Sequence, residues 1–198
     1  LGTAYTRSQQ ALSRECIQEA LFLLMADEPL SSITISAIAE RSGISRMGFY
    51  RNYKTKEDVL NDYFTIELSK IVGRISELDP LTAERLTPVY FEYIHDHAER
   101  FSITIKAAGD NAFYEPFVQT VGNFFSEYIR QPWFTGPYAE YWKHFVTSGL
   151  YAVTIAWIKE DFKTPIPTLV SVTNHLAAQP PRKVPDIVIN APEKENQD

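Results

Sequence analysis

The chain has 198 residues, 44% of them hydrophobic, and a formal net charge of -6. That is a soluble globular composition with enough apolar material for a sizeable core, in one large domain or a small one joined to a larger. Residues 1–60 carry seven basic and seven acidic side chains, and residues 61–198 carry twelve against eighteen. This excludes a positive coat over the whole molecule and leaves a neutral head on an acidic body.

Cys16 is the single cysteine, so an intrachain disulfide is ruled out and a reducing compartment is expected. The longest apolar run, Ala20–Ala26, falls far short of the about 20 residues that a bilayer crossing needs. No basic-then-apolar signal opens the chain, and Leu1 is not an initiator methionine. These features predict a cytoplasmic protein with no membrane partner.

Apolar spacing predicts a first helix over 7–26, through Ala11, Leu12, Ile17, Leu21, Leu24 and Met25, with Ser8 as N-cap and Pro29 closing it. Thr34 then caps a helix over 35–42, whose inward face is Ile35, Ile38 and Ala39. Gly43 supplies the turn, and Ser45 caps a third helix anchored by Ile44 and Phe49. Thr55 and Asp58 form a weak capping box for a fourth, over 56–75. Further helices are expected at about 84–97, 99–107, 114–130, 138–160 and 166–176, with a loop over Gln131–Pro137. From Gln179 the sequence turns proline-rich and charged, which predicts an extended or disordered tail, although the apolar run Val184–Ile189 can still pack. The predicted fold is all-α with about nine helices: a three-helix helix-turn-helix head (1–55), a larger helical bundle (56–178) and the tail (179–198).

Two short helices broken at a glycine form the device that lays a helix into the DNA major groove. Five cations, Arg41, Arg46, Arg51, Lys54 and Lys56, fall between positions 41 and 56 with no acidic residue among them. Arg46 and Tyr50, four apart, share the face opposite the anchors, with Met47 beside them. Arg46 can pair with guanine or phosphate, Met47 can touch a thymine methyl, and Tyr50 and Asn52 can bond phosphate oxygens. Lys56 opens the fourth helix and Thr34 the second, where free N–H groups and the helix dipole favour an anion. The predicted DNA contacts are Thr34, Ser45, Arg46, Met47, Tyr50, Arg51, Asn52 and Lys56. Taken singly, Arg51 or Lys54 fits a solvated face better than a DNA contact, and it is the whole constellation that points to DNA.

The stretch TISAIAERSGISRMGFYRNYKTKEDVL, Thr34–Leu60, resembles the TetR family of bacterial transcription regulators. Its Ile38-Ala39, Gly43, Ser45-Arg46, Phe49-Tyr50 and Lys56-Glu57 elements stand at that family's spacing. The stretch YIHDHAERFSITIKAAGDNAFYEPF resembles the C-terminal domains of a subgroup common in Gram-positive bacteria. Two positions depart from the pattern. Ala37 replaces an acidic residue that often closes a capping box, and Gly48 replaces a serine or threonine that often meets the DNA backbone. The resemblance implies a homodimer that sets two recognition helices into successive major grooves of a near-palindromic operator. It also implies a small-molecule effector in the C-terminal bundle that shifts the fourth helix.

The body is rich in aromatic residues. Tyr93, His97, Phe117, Phe124, Tyr128, Trp142 and Phe145 are candidates to line an apolar ligand pocket, and the alternative is that they fill a helical core. Val146, Leu150, Val153, Trp157, Leu169, Val172 and Leu176 are the expected dimer surface, with Ser148, Gly149, Ala152 and Ala156 allowing close approach. The alternative there is burial within one subunit. His95 and His97 are two apart and face different sides of a helix, so no metal site and no cofactor are expected. The leading reading is a ligand-responsive DNA-binding repressor. The alternative is a co-regulator or activator acting through a protein partner of the C-terminal domain. An enzyme ranks last, because the sequence carries no nucleophile–base pair, phosphate loop or metal motif.

Overall fold

The computed structural model describes residues 2–128 and 139–177, with side chains over 9–128 and 140–176. The predicted loop Gln131–Pro137, with Trp133 and Phe134, lies outside the described residues. So do Tyr138 and the tail from Gln179 with Val184–Ile189. Among the described residues there are nine helices and no strand: α1 (Gly2–Met25), α2 (Ile35–Ser42), α3 (Arg46–Asn52), α4 (Lys56–Ser76), α5 (Ala83–Asp96), α6 (Ala98–Ala108), α7 (Tyr114–Tyr128), α8 (Ala139–Lys159) and α9 (Ile166–Ala177). No helix among them is long and apolar enough to cross a membrane.

The cap chemistry sets the short helices. Thr34 Oγ1 accepts the Ala37 N–H and Ser45 Oγ accepts the Gly48 N–H, each at 3.1 Å. Gly43 ends α2 in the left-handed region at φ 68. Thr55 and Asp58 form both halves of a capping box on α4. With alanine at 37, α2 has only half of one. The first helix departs from expectation: it starts at Gly2, so Ser8 lies inside it instead of capping it. An N-cap side chain offers the chain a place to start a helix, and nothing before Ser8 forces the helix to begin there.

α4 joins the head to the body. It packs on α1, α5 and α7, α7 packs on α8, and α5 packs on α9. Its apolar stripe, Val59, Leu60, Phe64, Leu68, Ile71 and Ile75, is buried. Phe64 stacks on Phe113 at 4.6 Å and meets Phe101 at 5.3 Å. α5 continues through Pro88. The missing proline N–H leaves the carbonyl of Glu84 without its usual donor, and Glu84 is exposed to water.

Candidate nucleic-acid interface

The α2–turn–α3 unit presents one face outward. Phe49 is fully buried and Tyr53, four residues on, is nearly so, so both turn α3's inner face toward α1 and α4. The outer face then carries Met47 at 73% exposure and Tyr50 at 48%, flanked by exposed Arg46 and Arg51. Thr34 and Ser45 are exposed at the starts of α2 and α3. Beside Tyr50, a surface hollow of about 440 Å³ is lined by Arg14, Arg51, Lys54 and the rim of α4. Cation, thioether and phenol thus converge on one short helix, a set that can read base edges and hold phosphate together.

Two of the predicted DNA contacts are turned inward. Asn52 is half-buried and its Nδ2 donates to the Gly48 carbonyl at 2.8 Å, which spends one amide proton inside the helix. The Lys56 ammonium donates to the Leu30, Ile33 and Ser31 carbonyls at 2.5, 2.8 and 3.3 Å. Its three protons are directed at protein oxygens, which takes the side chain off the outer face.

Sequence reasoning missed the network that holds α3. The Tyr53 hydroxyl donates to Asp62 Oδ2 at 2.7 Å and accepts from Arg14 Nε and Gln18 Nε2, each at 3.2 Å. Arg14 also pairs with Asp62 at 2.8 Å, and Gln18 donates to Asp62 at 2.9 Å. Burial, together with the Asp62 carboxylate, pushes the Tyr53 phenol up to about 12. The available signal was the Phe49–Tyr53 spacing of four, which extends the buried face by one turn.

In the body, the structure divides the pocket candidates. Tyr93 and His97 stack at 4.1 Å, and the Tyr93 hydroxyl donates at 2.7 Å to Glu67, a carboxylate only 5% exposed on α4. His97 Nε2 lies 4.0 Å from the same carboxylate and Lys70 Nζ 2.5 Å. Burial and then Glu67 drive the Tyr93 phenol above its ordinary range. Phe117 and Phe124 are buried, Phe117 against Tyr90 and Tyr151, so they serve as core. Tyr128 stacks on Phe124 at 5.2 Å and is 42% exposed, and half-buried Trp142 meets Phe125 at 5.8 Å. Phe145 is 73% exposed, on the outer side of α8.

The dimer candidates divide too. Trp157 is 1% exposed, edge-on to Phe91 at 5.5 Å, with its indole N–H donated to the Thr164 carbonyl. Leu169 is likewise buried. Both belong to the core of the chain itself. Val146, Leu150 and Val153 are half-buried, and Val172 and Leu176 are exposed. The open strip of α8 is Tyr141, Phe145, Gly149, Ala152 and Ala156, one face at helical spacing. Among the described residues no cluster of histidine, cysteine and carboxylates could hold a metal ion.

Residues 17–63 match the sequence model of the family described as bacterial regulatory proteins, tetR family. Residues 82–179 match a second, described as transcriptional regulator C-terminal region. An HTH-type transcriptional repressor of Mycolicibacterium smegmatis, KstR2, is 32% identical over 101 residues, which cover 48% of this chain and 49% of the relative. An uncharacterized HTH-type transcriptional regulator of Bacillus subtilis, YxbF, is 23% identical over 152 residues, 73% of this chain and 39% of that protein. The chain thus spans less than half the length of either curated relative. Among solved structures, the fatty acid degradation regulator FadR from Bacillus halodurans superimposes with a TM-score of 0.58 at 19% identity, over 86% of this chain and 96% of that one. At that identity the likeness concerns the fold.

Proposed function

Because the chain belongs to the TetR family, a family of DNA-binding transcriptional regulators and not of enzymes, we propose that it is a ligand-responsive repressor that binds a near-palindromic operator as a homodimer. The observation that carries this reading is the outward face of α3, where Arg46, Met47, Tyr50 and Arg51 stand free while Phe49 and Tyr53 hold the helix from behind. Each subunit sets α3 into a major groove, and the two helices lie about 34–36 Å apart, one turn of DNA. Thr34 and Ser45 flank the groove at the phosphates. KstR2, a repressor by name, supports repression over activation.

Two copies pair through Tyr141, Phe145, Gly149, Ala152 and Ala156 of α8 with Val172 and Leu176 of α9. Val146, Leu150 and Val153 border that seam. The effector site draws on Tyr93 and His97, where the buried Glu67 carboxylate on α4 supplies a directed polar group. A ligand that disturbs this contact moves α4, and coupling of that kind amounts to about 1–3 kcal/mol. A second reading, a regulator acting through a protein partner, is favoured by one observation: Tyr141 and Phe145 are 77% and 73% exposed and suit a foreign helix as well as a second copy.

Binding to duplex DNA from upstream of the protein's own coding region, against a scrambled duplex, is the test. Wild type should prefer the upstream duplex, and Arg46→Ala should lose about 1–3 kcal/mol of that preference. No preference in wild type overturns the reading. Sedimentation of Gly149→Arg should give a monomer. A dimer that persists in this variant, with a protein partner bound at one-to-one ratio, favours the second reading.

A further inference from the structure

The hollow beside Tyr50 is edged by three cations, Arg14 from α1, Arg51 from α3 and Lys54 from the turn after α3. Arg51 and Lys54 are exposed. Arg14 is held differently. Its Nη2 pairs with Asp62 Oδ1 at 2.8 Å, its Nε donates to the Tyr53 hydroxyl at 3.2 Å, and its guanidinium lies over the Tyr53 ring at 5.0 Å. Its charge is therefore matched by a carboxylate on the wall of the same hollow. The pair is open to water, with the Arg14 side chain 38% exposed and that of Asp62 21%, and such pairs add little stability. The anchoring is done by the other oxygen: Asp62 Oδ2 accepts the Tyr53 hydroxyl at 2.7 Å and Gln18 Nε2 at 2.9 Å. One carboxylate thus has two tasks on separate oxygens. Oδ2 ties α3 and α1 to α4, and Oδ1 neutralises a cation at the edge of the outward face of α3.

We propose that Asp62 is a specificity-determining residue: through Oδ1 it holds the Arg14 charge back from the DNA backbone. Phosphate contacts supply affinity for any duplex and carry no sequence information. A cation matched within the protein adds nothing to that affinity. The side chains that reach base edges, Arg46 and Met47, then decide a larger share of binding. This role rests on the DNA-binding reading above.

Asp62→Asn separates the two tasks. An amide can keep its oxygen on Tyr53 and Gln18 while its NH2 replaces the oxygen that held Arg14. Binding of the full chain to a scrambled duplex is measured against salt. The slope of log affinity against log salt should steepen by about 1 per subunit in Asp62→Asn, and the preference for the upstream duplex should fall. Arg14→Gln should leave the wild-type slope unchanged, and the double variant Arg14→Gln with Asp62→Asn should return to it. Glu57→Gln, the same change of charge at an exposed carboxylate of α4, should not steepen it. An unaltered slope in Asp62→Asn, a lowered slope in Arg14→Gln alone, or an equal steepening in Glu57→Gln overturns the proposal. Arg14→Gln leaves the bonds of Asp62 Oδ2 in place, so it tests whether Arg14 already serves a phosphate even if Asp62→Asn folds poorly. A scrambled duplex needs no operator, so these slopes decide the role of Asp62 even if wild type shows no preference for the upstream duplex.

Discussion

Gly48 lies buried inside α3, and a Cβ there would stand 2.6 Å from Ile44 Cγ2 and 3.3 Å from Ser45 Oγ. The position that in related sequences often carries a hydroxyl is here filled by the Ile44 side chain, which reaches across the helix start. Alanine would gain about 1 kcal/mol of helix propensity. It would also push Ile44 off its seat, and overpacking of that kind costs about 1–3 kcal/mol. Gly48→Ala is therefore expected to lower the urea midpoint with an unchanged denaturant slope. A midpoint above wild type would mean that Ile44 relocates freely. Asn52 and Lys56 teach a related point. Spacing assigns a side chain to a face, but it does not say whether the donor atoms are already spent on carbonyls.

At the scale of elements, the helices were largely legible because apolar spacing and caps agreed. Thr34, Gly43, Ser45 and Thr55 punctuate the head at the positions the structure uses. The faces of α8 were not legible. It carries Tyr141, Phe145, Leu150, Tyr151, Ile155, Trp157 and Ile158 around its circumference, so periodicity alone could not tell the core side from the open side. That is why Trp157 and Phe145 exchanged their expected places. The α8–α9 turn was equally hidden: Asp161 and Phe162 both take positive φ, 55 and 58, with no glycine to announce it. Phe162 is held there by Trp157 at 4.8 Å and His95 at 5.8 Å, whereas the Asp161 side chain is exposed. Asp161→Val, a surface change with no packing to lose, should cost about 1–2 kcal/mol through backbone strain alone. A thermal melt that shows no loss would refute this.

For the molecule as a whole, buried phenols set the alkaline limit. Tyr53 and Tyr63 are each pushed up to about 12, chiefly by burial, and burial drives Tyr90 and Tyr151 higher still. Unfolded tyrosines ionise near pH 10. The neutral buried phenols thus stabilise the fold fully below pH 10, and that contribution falls away as pH rises through about 12. Melting temperature should decline steeply over that window, and Tyr53→Phe should soften the decline; a flat profile to pH 12 would contradict it. The open strip of α8 has a shape as well as a polarity. It is bulky at Tyr141 and Phe145 and nearly smooth from Gly149 through Ala152 to Ala156. A neighbouring helix can come close at the smooth end and is held off by rings at the other, so two such helices would diverge like the arms of a V. Were two copies to pair through this strip, the wedge between them would be a built-in taper that sets how far they lean apart.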